Sequence, residues 1–418
     1  MPPAPRPELL SLLAAVKAEP DDLTARLVLA DWLQDQSDPA DVARGEWVRL
    51  LVERDRVPEG YMQRRDLYHR ARALWNEHRE AWAGPLLAAG FDLADGDGAF
   101  PDESFEGGLL NLAVDGTRAA SKKAAAVAGS EAWAWVGGLR FHQLTGNQLR
   151  KLLAGPLLPG LTRLHLHAVN VPAWGIEELA ASPAAAGLTA LKLCHLPLGP
   201  HGAAALAGSP RLRDPREATG FALGNLRELT LTHCDVGSDA GFRDLVSSPA
   251  LSALRSLKVR EAGLSIHSAR AFSEADGLPA LTALDLTGNH IESDGVLILV
   301  AYPPAGRLTR LGLEATGAGD YGAEQVARRP HLERLVELDL SRDLITDRGA
   351  VALAESPHLR ALERLVLATN QITDRGALAL ANSPHLSRLQ RLNLHGNRIG
   401  DDAADALRQR FGEGLALI

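Results

Sequence analysis

One stretch limits what this chain can fold into more than any other. From Leu335 to Gly400 it states one unit nearly three times: LVELDLSRDLITDRGAVALAESPHLRA, LERLVLATNQITDRGALALANSPHLSR and LQRLNLHGNRIG. The opening pattern L-x-x-L-x-L recurs at Leu161, Leu188, Leu226, Leu254, Leu281, Leu308, Leu335, Leu362 and Leu389, and six of the eight intervals are 27 residues. Leu338 and Leu340 alternate with polar neighbours, the period of a short strand with one buried face. The second half of the unit changes period. In Gly349–Ala354 and Gly376–Ala381 small and apolar residues fall at helical spacing, and Pro357 or Pro384 follows to stop the helix. Each unit is therefore strand, turn, helix, turn. One such unit cannot bury its own apolar face, so the copies must stack.

The spacing and residues resemble leucine-rich repeats of the ribonuclease-inhibitor type, and GALALA at Gly376–Ala381 resembles the GALA subclass. The resemblance covers about residues 136–412. It implies an α/β fold: a horseshoe solenoid, parallel strands on the concave face and helices on the convex one. Three residues past the last apolar strand position stand Val169, Leu196, Cys234, Ala262, Asn289, Thr316, Asp343, Asn370 and Asn397. In the family this is a buried ladder position, where an asparagine amide satisfies backbone groups as the chain leaves the strand. The last five copies keep a polar side chain there and the first four do not, so the early turns must bond otherwise, for instance through water.

A different grammar precedes the repeats. Pro7 fits the first turn of a helix running to about Lys17, Asp21 or Asp22 can cap a second, and Asp38-Pro39 can open a third. Pro20, Asp22, Arg26, Leu27, Ala30, Asp31, Trp32, Leu33, Arg49 and Leu50 resemble the short repeat-companion domain that precedes repeat arrays in some bacterial proteins. That resemblance implies company with repeats and no assigned activity. Trp32 and Trp47 read as packing a small helical core, with Asp31 paired to an arginine such as Arg26; the sharper alternative is a docking surface. A further helix is expected over Tyr61–Trp82, then a linker from Gly84 to Asp102. Asp95, Asp97 and Asp102 lack the remaining ligands of a calcium loop. Gly107–Val114 reads as a capping strand and Thr117–Ala128 as a helix, and Leu139–Phe141 with Gln148–Leu153 forms a degenerate unit. Asp402–Phe411 is the last helix, followed by an apolar tail suited to cover the final strand edge. The expected domains are 1–58 all-α companion, 59–104 helix and acidic linker, 105–160 cap and degenerate repeat, and 161–418 repeats with C-terminal cap.

A net charge of −8, with seven Lys and Arg against twelve Asp and Glu in the first 60 residues, argues against nucleic acid as the main partner. No leader or membrane span is visible, since the early apolar run Leu9–Val16 is short and enters charged sequence. Two cysteines in 418 residues fit a reducing compartment, and the chain reads as cytoplasmic, monomeric and free of membrane contact.

The outward strand positions offer the candidate binding residues: Arg163, His165, His167, Lys192, Glu228, Lys258, Arg260, Asp285, Arg310, Glu314, Glu337, Asp339, Arg364, Arg391, Asn393 and His395. This mixed-charge surface suits a folded protein with complementary patches. Its lack of aromatics other than histidine counts against stacked bases or a glycan. Adjacent strands lie about 4.8 Å apart, so His165, His167 and Cys194 could meet a zinc ion. The plain reading is that these are solvated strand residues. His195 and His233 share the next position in successive copies. His331, His358 and His385 share one repeat position, Pro-His-Leu, and read as fold residues. Extra residues around Asp214–Asn225 enter a loop that could carry binding groups. No Walker loop, nucleophile elbow, kinase set or dinucleotide fingerprint is present, so neither a catalytic residue nor a cofactor is expected. The preferred reading is a non-enzymatic scaffold whose concave face binds a partner protein, as yet unidentified. The alternatives are a metal-binding or hydrolytic protein using the histidine region, and a glycan or small-ligand receptor.

Overall fold

The computed structural model describes residues 6–19, 22–57, 62–94, 104–208, 222–301, 303–412 and 415–416. Pro20, Asp21, Asp95, Asp97, Asp102 and most of the insertion before Asn225 lie outside the described residues. By internal contacts the chain divides into two compact units: Met1–Val171 with Pro183–Ala190, and Pro172–Ser182 with Leu191–Ile418.

The first unit opens with helices α1 (Pro7–Ala18), α2 (Leu23–Gln34), α3 (Pro39–Arg56) and α4 (Met62–Ala88). Their starts follow from local chemistry: Asp22 accepts from the Thr24 N–H at 2.8 Å, and Asp38 from the Ala40 N–H at 2.9 Å, with Pro39 in the first turn. Leu9, Leu13, Leu29, Leu33, Trp47 and Leu51 are fully buried. Asp31 pairs with Arg49 rather than with Arg26, which instead reaches Asp55 at 2.5 Å. Helices α2 and α3 thus exchange two ion pairs of opposite sense, Arg26 of α2 donating to Asp55 and Arg49 of α3 to Asp31, a choice that depends on helix crossing and not on sequence distance.

Helix α4 runs past Trp82 and through Pro85, and residues 92–93 are a strand where a linker was expected. Burying Leu86 and Phe91 completely outweighs the helix bond that Pro85 removes. The strands are β1 (Asp92–Leu93), β2 (Phe105–Glu106) and β3 (Leu109–Val114); β1 and β2 each pair antiparallel with β3. The expected helix over Thr117–Ala128 is two, α5 (Gly116–Ala119) and α6 (Lys122–Val127), because Ser121 turns its hydroxyl to the Ala124 N–H and starts a new one. Helix α7 (Glu131–Ala134), β4 (Val136–Phe141), α8 (Gly146–Leu153) and β5 (Arg163–His167) follow, with β3, β4 and β5 parallel. Thr145 and Gln148 form a capping box on α8. Phe105 inserts between Trp47, at 5.2 Å, and Trp75, at 5.8 Å. Beside them the buried Arg44 guanidinium stacks 3.7 Å from the Trp135 ring, and burial pushes its pKa down to about 9.

The second unit is the repeat array. It comprises α9 (Ala173–Ala181), β6 (Ala190–Cys194), α10 (Gly199–Leu206), β7 (Glu228–Thr232), α11 (Ser238–Val246), β8 (Ser256–Arg260), α12 (Ile266–Ser273) and β9 (Ala283–Asp285). The series continues with α13 (Glu292–Ala301), β10 (Arg310–Gly312), α14 (Gly319–Ala327), β11 (Glu337–Asp339), α15 (Asp347–Ala354), β12 (Arg364–Val366) and α16 (Asp374–Ala381). It closes with β13 (Arg391–Asn393), α17 (Asp401–Phe411) and β14 (Leu415–Ala416). From β7 to β14 each strand is parallel to the next, in the register of the leucine repeat: Leu284, Leu311, Leu338, Leu365 and Leu392 stand side by side. As expected, the apolar tail pairs with the last strand of the array.

Two devices fasten copy to copy. A left-handed residue follows the outward rows in the second unit, directly after β6, β7 and β8 (His195, His233, Glu261) and three residues beyond β9 to β12 (Gly288, Ala315, Arg342, Thr369), and its N–H donates to the next copy: His233 N to Arg260 O, 3.0 Å, and Arg342 N to Ala368 O, 2.9 Å. At the helix starts, Asp320 and Asp347 each accept the cap threonine's N–H and hydroxyl and a glycine N–H from the next copy. For Asp347 the partners are Thr373 N at 2.8 Å, Thr373 Oγ1 at 2.6 Å and Gly376 N at 3.0 Å. Gly376 is required there, since a Cβ would lie 2.7 Å from Asp347 Oδ1 and 2.8 Å from Ile372 Cγ2.

Candidate functional site

Alternation along each strand sends leucines inward and leaves three outward rows across the second unit. The registers align Arg310, Glu337, Arg364 and Arg391 in one row, and Thr230, Lys258, Asp285, Gly312, Asp339, Val366 and Asn393 in the next. Thr232 and Arg260 open the third row, which Thr287, Glu314, Ser341, Ala368 and His395 continue along the chain. Glu228, Arg310 and His395 are exposed; Lys192, Lys258, Arg260, Asp285, Glu314, Glu337, Asp339, Arg364, Arg391 and Asn393 are half-buried.

Charge is organised rather than scattered on this face. Arg260 Nε donates to Asp285 Oδ2 at 2.8 Å, and Arg342 Nε lies 3.3 Å from Glu314 Oε1. Burial raises the Asp285 carboxyl, but the bonded Arg260 overcomes this and holds it below the ordinary carboxylate value. Burial and the neighbouring Asp339 together push Glu314 up, and burial with Arg260 close by pushes the Lys258 ammonium down. Three middle-row acceptors are also tied to their own chain two residues on: Asp285 to Thr287 N at 3.0 Å, Asp339 to Ser341 N at 2.9 Å and Asn393 to His395 N at 2.9 Å. Gly312 leaves the space the Asp285 carboxylate needs, because a Cβ there would lie 2.9 Å from Asp285 Cγ. Arg260, Asp285, Glu314 and Asp339 are thus charges of both signs already held by neighbours on this face.

Arg163, His165 and His167 lie on β5 of the first unit. Arg163 Nε is 3.0 Å from Glu106 Oε2, and the His165 and His167 rings stand 5.8 Å apart, edge to face. Cys194 is half-buried in the second unit. There the His195 and His233 rings stack at 4.4 Å, and His233 Nδ1 lies 3.3 Å from Glu261 Oε2. Cys234 donates its thiol to the Leu193 carbonyl at 3.3 Å, so an early copy fills the ladder with sulfur; burial pushes that thiol up to about 11. His331 Nε2 sits 2.7 Å from the Val300 carbonyl, a fold contact as its repeated position implies. Sequence reasoning passed over Glu261 and Arg342, which border the face from the left-handed position. The signal was there in Gly288 and Gly396, which mark that column as a turn reaching beyond the strand.

The leucine-rich repeat family model matches residues 278–299, 358–381 and 385–407, so the chain carries leucine-rich repeats in the array just described. No curated protein matches the sequence. Among solved structures, a chain of the yeast Rad7–Elc1 complex is 16% identical with a TM-score of 0.43, over 68% of this chain and 74% of that one. An internalin from Listeria monocytogenes is 16% identical with a TM-score of 0.40, over 72% of this chain and 84% of that one. Among the described residues no helix is long and apolar enough to cross a membrane.

Proposed function

We propose that the chain is a non-enzymatic scaffold of the ribonuclease-inhibitor-like, GALA-type class, in which the strand face of β7–β13 binds a partner protein. The observation that carries this reading is a recurring frame bearing varied charges, several of them, such as Arg260, Asp285 and Asp339, already held by neighbours. The leucines recur in every copy, and a helix-start aspartate and a polar ladder residue recur in the later ones, while the outward residues change from copy to copy. A folded protein with complementary charges gains from such a face without ordering its side chains anew.

Charge reversal tests it. The full chain and a variant carrying Arg310→Glu, Glu337→Arg, Asp339→Arg and Arg364→Glu are compared in affinity capture from native extract, after both are shown folded by circular dichroism. Partners held by the wild type and lost by the variant support the strand face; equal capture by both removes it.

A further inference from the structure

We propose that Asp343 is a proton-binding site inside the repeat array: in mildly acidic solution the folded chain holds it as a neutral carboxylic acid, whose O–H replaces the amide N–H of the ladder asparagines. The neighbouring copies show what this position must do. Asn370 Oδ1 accepts the Asp343 and Ile345 N–H groups, both at 3.0 Å, while Nδ2 donates to the Leu340 and Leu367 carbonyls at 2.9 and 3.0 Å. Asn289 repeats the pattern, with Nδ2 at 2.7 Å from Val259 O and 2.8 Å from Leu286 O. The ladder residue therefore needs an acceptor on one side and a donor on the other.

Asp343 supplies the first and, when ionised, not the second. Its Oδ1 accepts three backbone N–H groups, from Thr316 at 2.9 Å, Gly317 at 2.7 Å and Ala318 at 3.0 Å. Its Oδ2 is buried without a hydrogen-bond partner, in a residue only 1% exposed. By analogy with Asn370 Nδ2, Oδ2 takes the place of a donor to the Leu313 and Leu340 carbonyls, of which Leu313 O already accepts the Thr316 hydroxyl at 2.7 Å. An anionic oxygen there repels them, whereas a proton on Oδ2 makes a donor and leaves all three bonds to Oδ1 intact.

Of the surrounding charges, Asp339 acts in the same sense. From its own strand Asp339 adds a like charge; from the preceding copy come Glu314, held by Arg342, and Asp320, bonded to Thr346 and Gly349; from its own helix comes Asp347, bonded to Thr373 and Gly376; Asn370, from the next copy, is neutral. Burial and then Asp339 outweigh the three backbone bonds and push the carboxyl up to about 6, from an ordinary 3.8. The sign follows from linkage. The folded state binds the proton more tightly than the unfolded chain. The contribution of Asp343 to folding is therefore complete below pH 3.8 and lost as pH rises through about 6, on the order of a hundredfold in the folding equilibrium.

The test compares wild type with Asp343→Asn, the residue three other copies already carry. Denaturant unfolding of the full chain is followed at several pH values from 4 to 8. The variant's advantage grows as pH rises, by on the order of a hundredfold in the unfolding constant. In wild-type chain labelled at aspartate carboxyl carbons, one buried resonance titrates near pH 6. A difference between the two proteins that stays flat from pH 4 to 8, or the absence of that resonance, overturns the assignment.

Discussion

Asp347 shows how a single carboxylate joins two copies. It takes the Thr373 N–H and hydroxyl and the Gly376 N–H, all belonging to the next helix start. Burial alone would raise its pKa, but these donors hold it below the ordinary 3.8, and Ser268 and Ser265 do the same for Asp239. Asp347→Ala is expected to destabilise the array by about 1–2 kcal/mol at pH 7, as loss of a cap does. Because the folded pKa is depressed, that contribution is present above the unfolded value and fades as pH falls below about 4. Urea unfolding at pH 7 and pH 3 checks both statements, with the variant and wild type converging at the lower pH. Gly376→Ala meets Asp347 Oδ1 and Ile372 Cγ2 inside contact distance and is expected to cost about 1–3 kcal/mol through overpacking. A thermal melt that shows no drop for this variant would contradict the contact.

Among the elements, the turns are less uniform than the strands. Asn370 satisfies two N–H groups and two carbonyls at once, so Asn370→Leu, similar in size, is expected to lose about 3 kcal/mol or more. Calorimetry of the full chain measures this. At the end of the array β14 covers β13, and deleting residues 401–418 bares a strand edge together with the apolar face on which Ala403, Ala404 and Leu407 packed. Light scattering of the truncated chain should then show association. The strand and helix pattern was legible because leucine spacing reports burial directly. The asymmetry between Asn370 and Asp343 was not, because both read as polar ladder residues until burial shows one carboxyl oxygen dry. The continuation of α4 through Pro85 also escaped the sequence, since it depends on where Leu86 and Phe91 find cover.

For the whole molecule, legibility follows sequence distance. The array was readable because each copy contacts its neighbours at a fixed interval. The first unit was not, because its fastenings join remote residues: Phe105 among the tryptophans, and Arg6 donating to Glu131 Oε1 at 2.7 Å across 125 positions. Of the candidate site, the rows of outward residues were legible, while the pairs within them, Arg260 with Asp285 and Glu314 with Arg342, needed the fold. The claim that most depends on this organisation is that a protein partner lies against the strand face. Covalent labelling of carboxylates, read by mass spectrometry with and without the captured partner, tests it directly. The account predicts protection of Glu228, Glu314, Glu337 and Asp339, with Asp401, Asp402 and Asp405 on α17 labelled as before. Protection confined to helix carboxylates, with the strand face equally labelled in both states, would contradict it.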